Sequence, residues 1–141
     1  MKRDLGNMIT SLTAIAPQTI GAVSTATAAS VATGVGIDRL GYESLVFSFI
    51  NSQPAGVPLA STLTCVIEDS ADNTTFATVT GASAVHNVTN TYSITEISIP
   101  DATKINRYVR AKATVLFASG SACMTTVGAI GILGSPVKFP V

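Results

Sequence analysis

His86 is the only histidine in the chain, and any hydrolytic centre would have to be built from it together with a serine and an aspartate. Such a centre needs its nucleophile on a sharp turn and its base within hydrogen-bond reach. No Gly-x-Ser-x-Gly elbow occurs, and the residues around His86 are small and polar. His86 therefore reads as an exposed loop residue, and the chain as a protein without enzymatic activity. Structural zinc takes about four Cys or His ligands, and Cys65, His86 and Cys123 are too few and too scattered to supply them. No metal and no cofactor are expected.

Two charged clusters remain. Glu68-Asp69-Ser70-Ala71-Asp72-Asn73 could offer carboxylates to calcium, but it lacks the glycine and the closing glutamate of an EF-hand loop and reads as a solvated hairpin tip. Lys104, Arg107, Arg110 and Lys112 form the one basic cluster, with only Tyr108 interleaved. Single-strand binding wants basic groups alternating with stacking aromatics. This cluster reads instead as a polar sheet face or a subunit contact. The sequons Asn73-Thr74-Thr75 and Asn87-Val88-Thr89 have meaning only in a secreted protein.

The elements that must position these residues belong to a chain of 141 residues, the size of one domain. Charged residues make up 11% of it and apolar residues 47%, with eight basic residues balancing eight acidic ones. Average soluble domains carry about 25% charge. The deficit leaves two explanations: a membrane protein, or a subunit whose surface is occupied by neighbours. Every apolar run is cut well short of the roughly 18 residues a spanning helix needs, so the second is preferred. Lys2 and Arg3 are followed by Asp4, Gly6 and Asn7 where a secretory signal would build its apolar core, so no signal is expected. The charge balance gives no field for nucleic acid or anionic lipid. Cys65 and Cys123 each sit in an apolar segment and read as buried reduced thiols rather than a disulfide.

The chain is organised around Gly41 and the strand that follows it through Ile50. Alternation sends Leu45, Phe47 and Phe49 to one face and Val46, Ser48 and Ile50 to the other, as in a central strand covered on both sides. Further strands are expected at 61–68, 76–80, 92–99, 106–117 and 124–133, with a polar connection over 81–90. The sum is an all-β protein, an antiparallel β-sandwich or jelly roll over residues 35–141. Residues 1–34 are expected to be an N-terminal arm. Within it Leu5, Met8, Ile9, Leu12 and Ile15 recur at helical spacing and Pro17 follows, which predicts a short helix over 4–16. Its apolar stripe would dock on a neighbour or else close one end of the sandwich, and the small-residue stretch over 18–36 would be an extended arm or one or two weak edge strands.

The order of these pieces resembles the small head proteins of tailed bacteriophages, the group of capsid decoration or cement proteins. The resemblance is carried by Ala14-Ile15-Ala16-Pro17, Gly41-Tyr42-Glu43-Ser44, Glu68-Asp69-Ser70 with Asp72-Asn73 and Phe76, Arg107-Tyr108-Val109-Arg110, and Leu133-Gly134-Ser135-Pro136. It implies a structural virion protein on the outer surface of the phage head, made in the host cytoplasm. Its partners would be the major capsid protein and copies of itself, in threes, with neither nucleic acid nor membrane. The expected contact residues are Leu5, Met8, Ile9, Leu12, Arg107, Arg110 and Phe139. Two other classes stay open: a carbohydrate-binding sandwich, which the absence of Trp disfavours, and a minor structural protein of the head-tail junction or tail.

Overall fold

The computed structural model describes residues 8–22, 28–56, 60–89, 91–118 and 122–136. Nine strands follow in order: β1 (Ile9–Ala22), β2 (Ala28–Thr33), β3 (Ile37–Asp38), β4 (Tyr42–Asn51), β5 (Ala60–Ser70), β6 (Ala77–Asn87), β7 (Ser93–Ile99), β8 (Tyr108–Ala118) and β9 (Cys123–Pro136). They build two antiparallel sheets, β1-β9-β4-β7 and β2-β8-β5-β6, with β3 continuing the β2 position along β8. β5 pairs with β6, β4 with β7, β2 with β8 and β1 with β9. The chain is thus one long folded ribbon, closed by the β9–β4 and β8–β5 ladders. That is a jelly roll.

The alternation in β4 is used as its sequence demands. Leu45, Phe47 and Phe49 are buried between the sheets. Large side chains on β4 meet small ones on β9, Phe47 opposite Gly131 and Phe49 opposite Ala129. A Cβ on Gly131 would lie 3.1 Å from Phe47 Cε1, so the glycine supplies room for the ring. β8 contributes Val109, Ala111, Ala113, Val115 and Phe117 to the same core, and β5 contributes Leu63, Cys65 and Ile67. Burial pushes the Cys65 thiol up to about 12, so it is an inert core group. Cys123 is buried as well.

Three expectations are corrected. The helix over 4–16 is absent from its described part, where Ile9–Ala22 is a strand on β9. Its β-branched Ile9, Thr10, Thr13 and Ile15 suit an extended backbone, and the β9 edge offers it a ladder to complete. Two register shifts, between Thr13 and Ile15 and between Ile15 and Gln18, break the period of two and leave a spacing that imitates a helix. Pro17 does not stop an element; it sits in the second irregularity on an edge strand, where its missing N–H costs no ladder bond.

Residues 9–22 and 28–33 also do not stand off as an arm. Ala14, Ile15, Ile20 and Ala32 are buried in the domain's own core. β1 and β2 close one side of the sandwich, with Ser30 Oγ donating to the Gly21 carbonyl at 2.6 Å and the Val35 amide donating to the Ala14 carbonyl at 3.2 Å. A Cβ on Gly34 would fall 2.1 Å from the Ala14 carbonyl oxygen, so only glycine permits this approach.

The polar connection over 81–90 is largely strand, since β6 runs to Asn87. Between the pairs Glu68↔Thr78 and Val66↔Ser83, the single β5 residue Ile67 faces the four β6 residues 79–82. Gly81 takes a positive φ of 79° in this bulge. His86 lies on the exposed end of β6, not in a loop.

Candidate functional site

The charged clusters are held within the chain. Glu68 is 5% exposed. Its carboxylate accepts from Arg110 Nε at 2.7 Å and from Lys112 Nζ at 3.2 Å, and the Arg110 guanidinium lies 4.0 Å above the Phe76 ring. Arg107 grips Asp38 with both Nε (2.9 Å) and Nη2 (2.5 Å). That guanidinium, helped by the Leu40 amide, holds the Asp38 carboxyl at about 2. Lys104 pairs with Asp101 at 3.3 Å. Arg39 donates to the carbonyls of Asn106 and Ile105. All five described basic residues thus have partners in their own chain. Arg107 and Arg110, expected at a contact, serve first to lock β3, β5 and β8 together.

The acidic tip is likewise occupied. Asp72 accepts from the amides of Thr74 and Thr75, both at 2.9 Å, and from Ser70 Oγ at 2.8 Å. The Thr74 side chain first, and then these bonds, hold its carboxyl well below the usual carboxylate range. Asn73 adopts φ 60° in the turn, which an asparagine tolerates. The run is a capped hairpin tip, and among the described residues no group of three His, Cys, Asp or Glu could hold a metal ion.

Among the described residues, nothing covers the outer face of the β1-β9-β4-β7 sheet. Alternation places Val46, Ser48 and Ile50 of β4, Ile94, Glu96 and Ser98 of β7, and Gly128, Ile130 and Ile132 of β9 outward. Ile50 is 46% exposed, Ile94 66% and Ile130 42%. Tyr92 stands exposed beside them. Together with Thr13 and Pro17 of β1 they line a shallow groove of about 530 Å³. Glu96 is the one charge in these outward rows. The face expected to be covered is therefore open among the described residues.

Of the expected contact residues, Leu12 is exposed on β1, at the edge of this sheet, while Met8 and Ile9 are half-buried at the strand's start. Leu5 and Phe139 lie outside the described residues. Sequence reasoning missed Ile94 and Ile130 because alternation says which residues share a face and not whether another layer covers it.

A second concavity, about 580 Å³, opens on the side of the sandwich opposite β1 and β2, between the edges of β6 and β7. Asp69, Thr80, Ser98, Asp101 and Lys104 contribute to its lining, which includes no aromatic residue. Asp69 already accepts from the Asn106 amide at 2.7 Å.

No protein-family model matches the sequence, and no curated protein matches it significantly. Solved structures share its fold. A chain in the structure of infectious bursal disease virus, Gx strain, superposes with a TM-score of 0.56 at 13% identity, over 93% of this chain and 35% of that one. The VP2 subviral particle of the same virus gives 0.54 at 12% identity, over 94% and 34%. A carbohydrate-binding module of type CBM4 gives 0.45 at 10% identity, over 86% and 80%. This chain thus spans about a third of the length of the viral chains. At these identities the likeness to the viral chains is one of fold, and function has to be argued from the site.

Proposed function

We propose that the chain is a structural virion protein, a decoration or cement protein that binds the major capsid protein lattice on the outer surface of the phage head and stabilises it. The observation that carries this reading is the uncovered aliphatic face centred on Ile50, Ile94 and Ile130, in a chain whose described cations are all paired internally. Such a surface makes shape-dependent contacts and no chemistry. The jelly roll shared with the infectious bursal disease virus chains supports it at the level of fold.

Magnitudes say how such a face must work. Four strands about 4.8 Å apart and six residues at about 3.3 Å each give a patch of roughly 400 Å² per partner. Two such patches total about 800 Å², below the roughly 1,200 Å² of a stable pairwise interface. Completing the burial of three half-exposed isoleucines adds only about 1 kcal/mol apiece. Attachment therefore relies on several contacts at once, which a lattice supplies through effective concentration. Partners in this reading are the major capsid protein and neighbouring copies of the chain, in threes as the resemblance implies, with no cofactor. Quantitative mass spectrometry of purified particles tests it. A copy number that scales with the capsid lattice supports it; a few copies per particle would assign the chain to the head-tail junction or tail, and absence would exclude a virion role.

A second reading, carbohydrate binding, has the cleft between β6 and β7 as its specific support. Its lining offers hydroxyls and carboxylates but no ring on which a sugar could stack. Polysaccharide titration followed at the Asp69 and Asp101 amides discriminates the two.

A further inference from the structure

Among the described residues the jelly roll leaves four sheet edges, and they are protected unequally. An unprotected edge strand is a template for pairing with another chain, and proteins blunt it with proline, charge, bulges or shortness. β1 carries Pro17 and two register shifts. β2 is six residues long and tied to the Gly21 carbonyl through Ser30. β7 carries Glu96 and is followed directly by Pro100. β6 has eleven residues with no proline and no Asp, Glu, Lys or Arg. Its first half is distorted by the Gly81 bulge, but residues 83–87 pair with β5 in unbroken register from Val66 to Thr62. Among the described residues β6 has no strand on its other side, and none of the main-chain bonds outside the ladders reaches it.

We infer that β6 is a self-pairing edge: two copies of this chain join antiparallel along residues 83–87, with a two-fold axis at Val85, and extend the β2-β8-β5-β6 sheet from one copy into the next. A two-fold axis makes the strands antiparallel, and the uncharged segment brings no like charges together. Self-pairing satisfies the outward amides and carbonyls of both copies and removes both edges at once. Val85, 65% exposed, stands on the outer side of the sheet opposite Thr64, so it can meet its counterpart without disturbing the core. The pair forms in free solution and does not rest on the virion reading; it is also a different assembly from a threefold contact on a lattice.

The test uses the purified full chain. Sedimentation velocity from low micromolar to millimolar protein is expected to show monomer passing to dimer. Amide exchange in residues 83–87 is expected to slow over the same range, while exchange in β4 stays constant. Val85→Lys would set two ammonium groups on Cβ atoms about 5 Å apart across the axis and is expected to abolish the dimer. Val31→Lys, on the edge of β2, is expected to leave it intact. Val85→Glu, which sets two carboxylates across the same axis, repeats the test should Val85→Lys not fold. A strict monomer throughout, a dimer that survives in both β6 variants, or a trimer with unchanged exchange in residues 83–87 would each overturn the inference.

Discussion

Ile50 of β4 and Ile94 of β7 stand directly opposite each other on the outer face of the four-stranded sheet, both open to solvent. An aliphatic cross-strand pair is ordinarily a core feature, and here nothing among the described residues covers it. Because the Ile94 side chain is already largely hydrated, Ile94→Glu is expected to change unfolding stability by less than about 0.5 kcal/mol. Denaturant titration checks this. A loss above about 2 kcal/mol would mean the pair belongs to the folding core.

Phe47 is completely buried, with its ring centroid 6.5 Å from that of Phe49. Truncation to Ala removes the largest group at the centre of the sandwich and is expected to cost about 3 to 5 kcal/mol. Against a total of about 5 to 15 kcal/mol, the domain would become marginal. The midpoint of urea unfolding reads the loss directly.

Gly34→Ala acts through sterics alone. The new methyl would sit 2.1 Å from the Ala14 carbonyl oxygen, a backbone atom that cannot turn aside. The β1–β2 side must then separate, at an expected cost of about 3 kcal/mol or more. Thermal unfolding of the variant measures it, and an unchanged midpoint would mean that side is not closed.

Glu68 accepts from two cations on β8 that themselves retain access to water. Glu68→Gln removes the charge and leaves Arg110 and Lys112 to hydration, for an expected loss of about 1 to 3 kcal/mol. Added salt should narrow the difference between wild type and variant.

Asp38 supplies the pH dependence. Its carboxyl is held at about 2 by Arg107 first and the Leu40 amide second. A depressed acid contributes fully above the ordinary carboxylate range, about 4, and its contribution is lost as pH falls from there toward 2. The pair is half-exposed, so the loss stays under about 1 kcal/mol. Asp38→Asn should flatten the fall of the unfolding midpoint in that window and leave other pH ranges alone.

The elements that were legible in the sequence are those whose alternation runs unbroken. β4 and β8 keep the period of two through their core-facing residues, and β5 keeps it from Ser61 to Ile67, because each packs apolar side chains on one face against the core. β1 was illegible as a strand because its bulges shift the phase twice within fourteen residues. β6 was hidden by small polar residues and by Gly81, since its burial is slight and hydrophobic pattern had little to report. At the candidate site the residue types could be read, but not their partners. Arg107 meets Asp38 across 69 positions and Arg110 meets Glu68 across 42, distances set by the rolled topology. That same topology decides which face of β4 receives a second layer.

The central claim, that the Ile50, Ile94 and Ile130 face docks this chain on a capsid lattice, is tested most directly by co-sedimentation with purified phage head shells that lack it. Wild-type chain is predicted to pellet with the shells to a saturating level, and folded Ile94→Glu to stay in the supernatant. Failure of the wild type to bind, or equal binding by Ile94→Glu, would contradict the account.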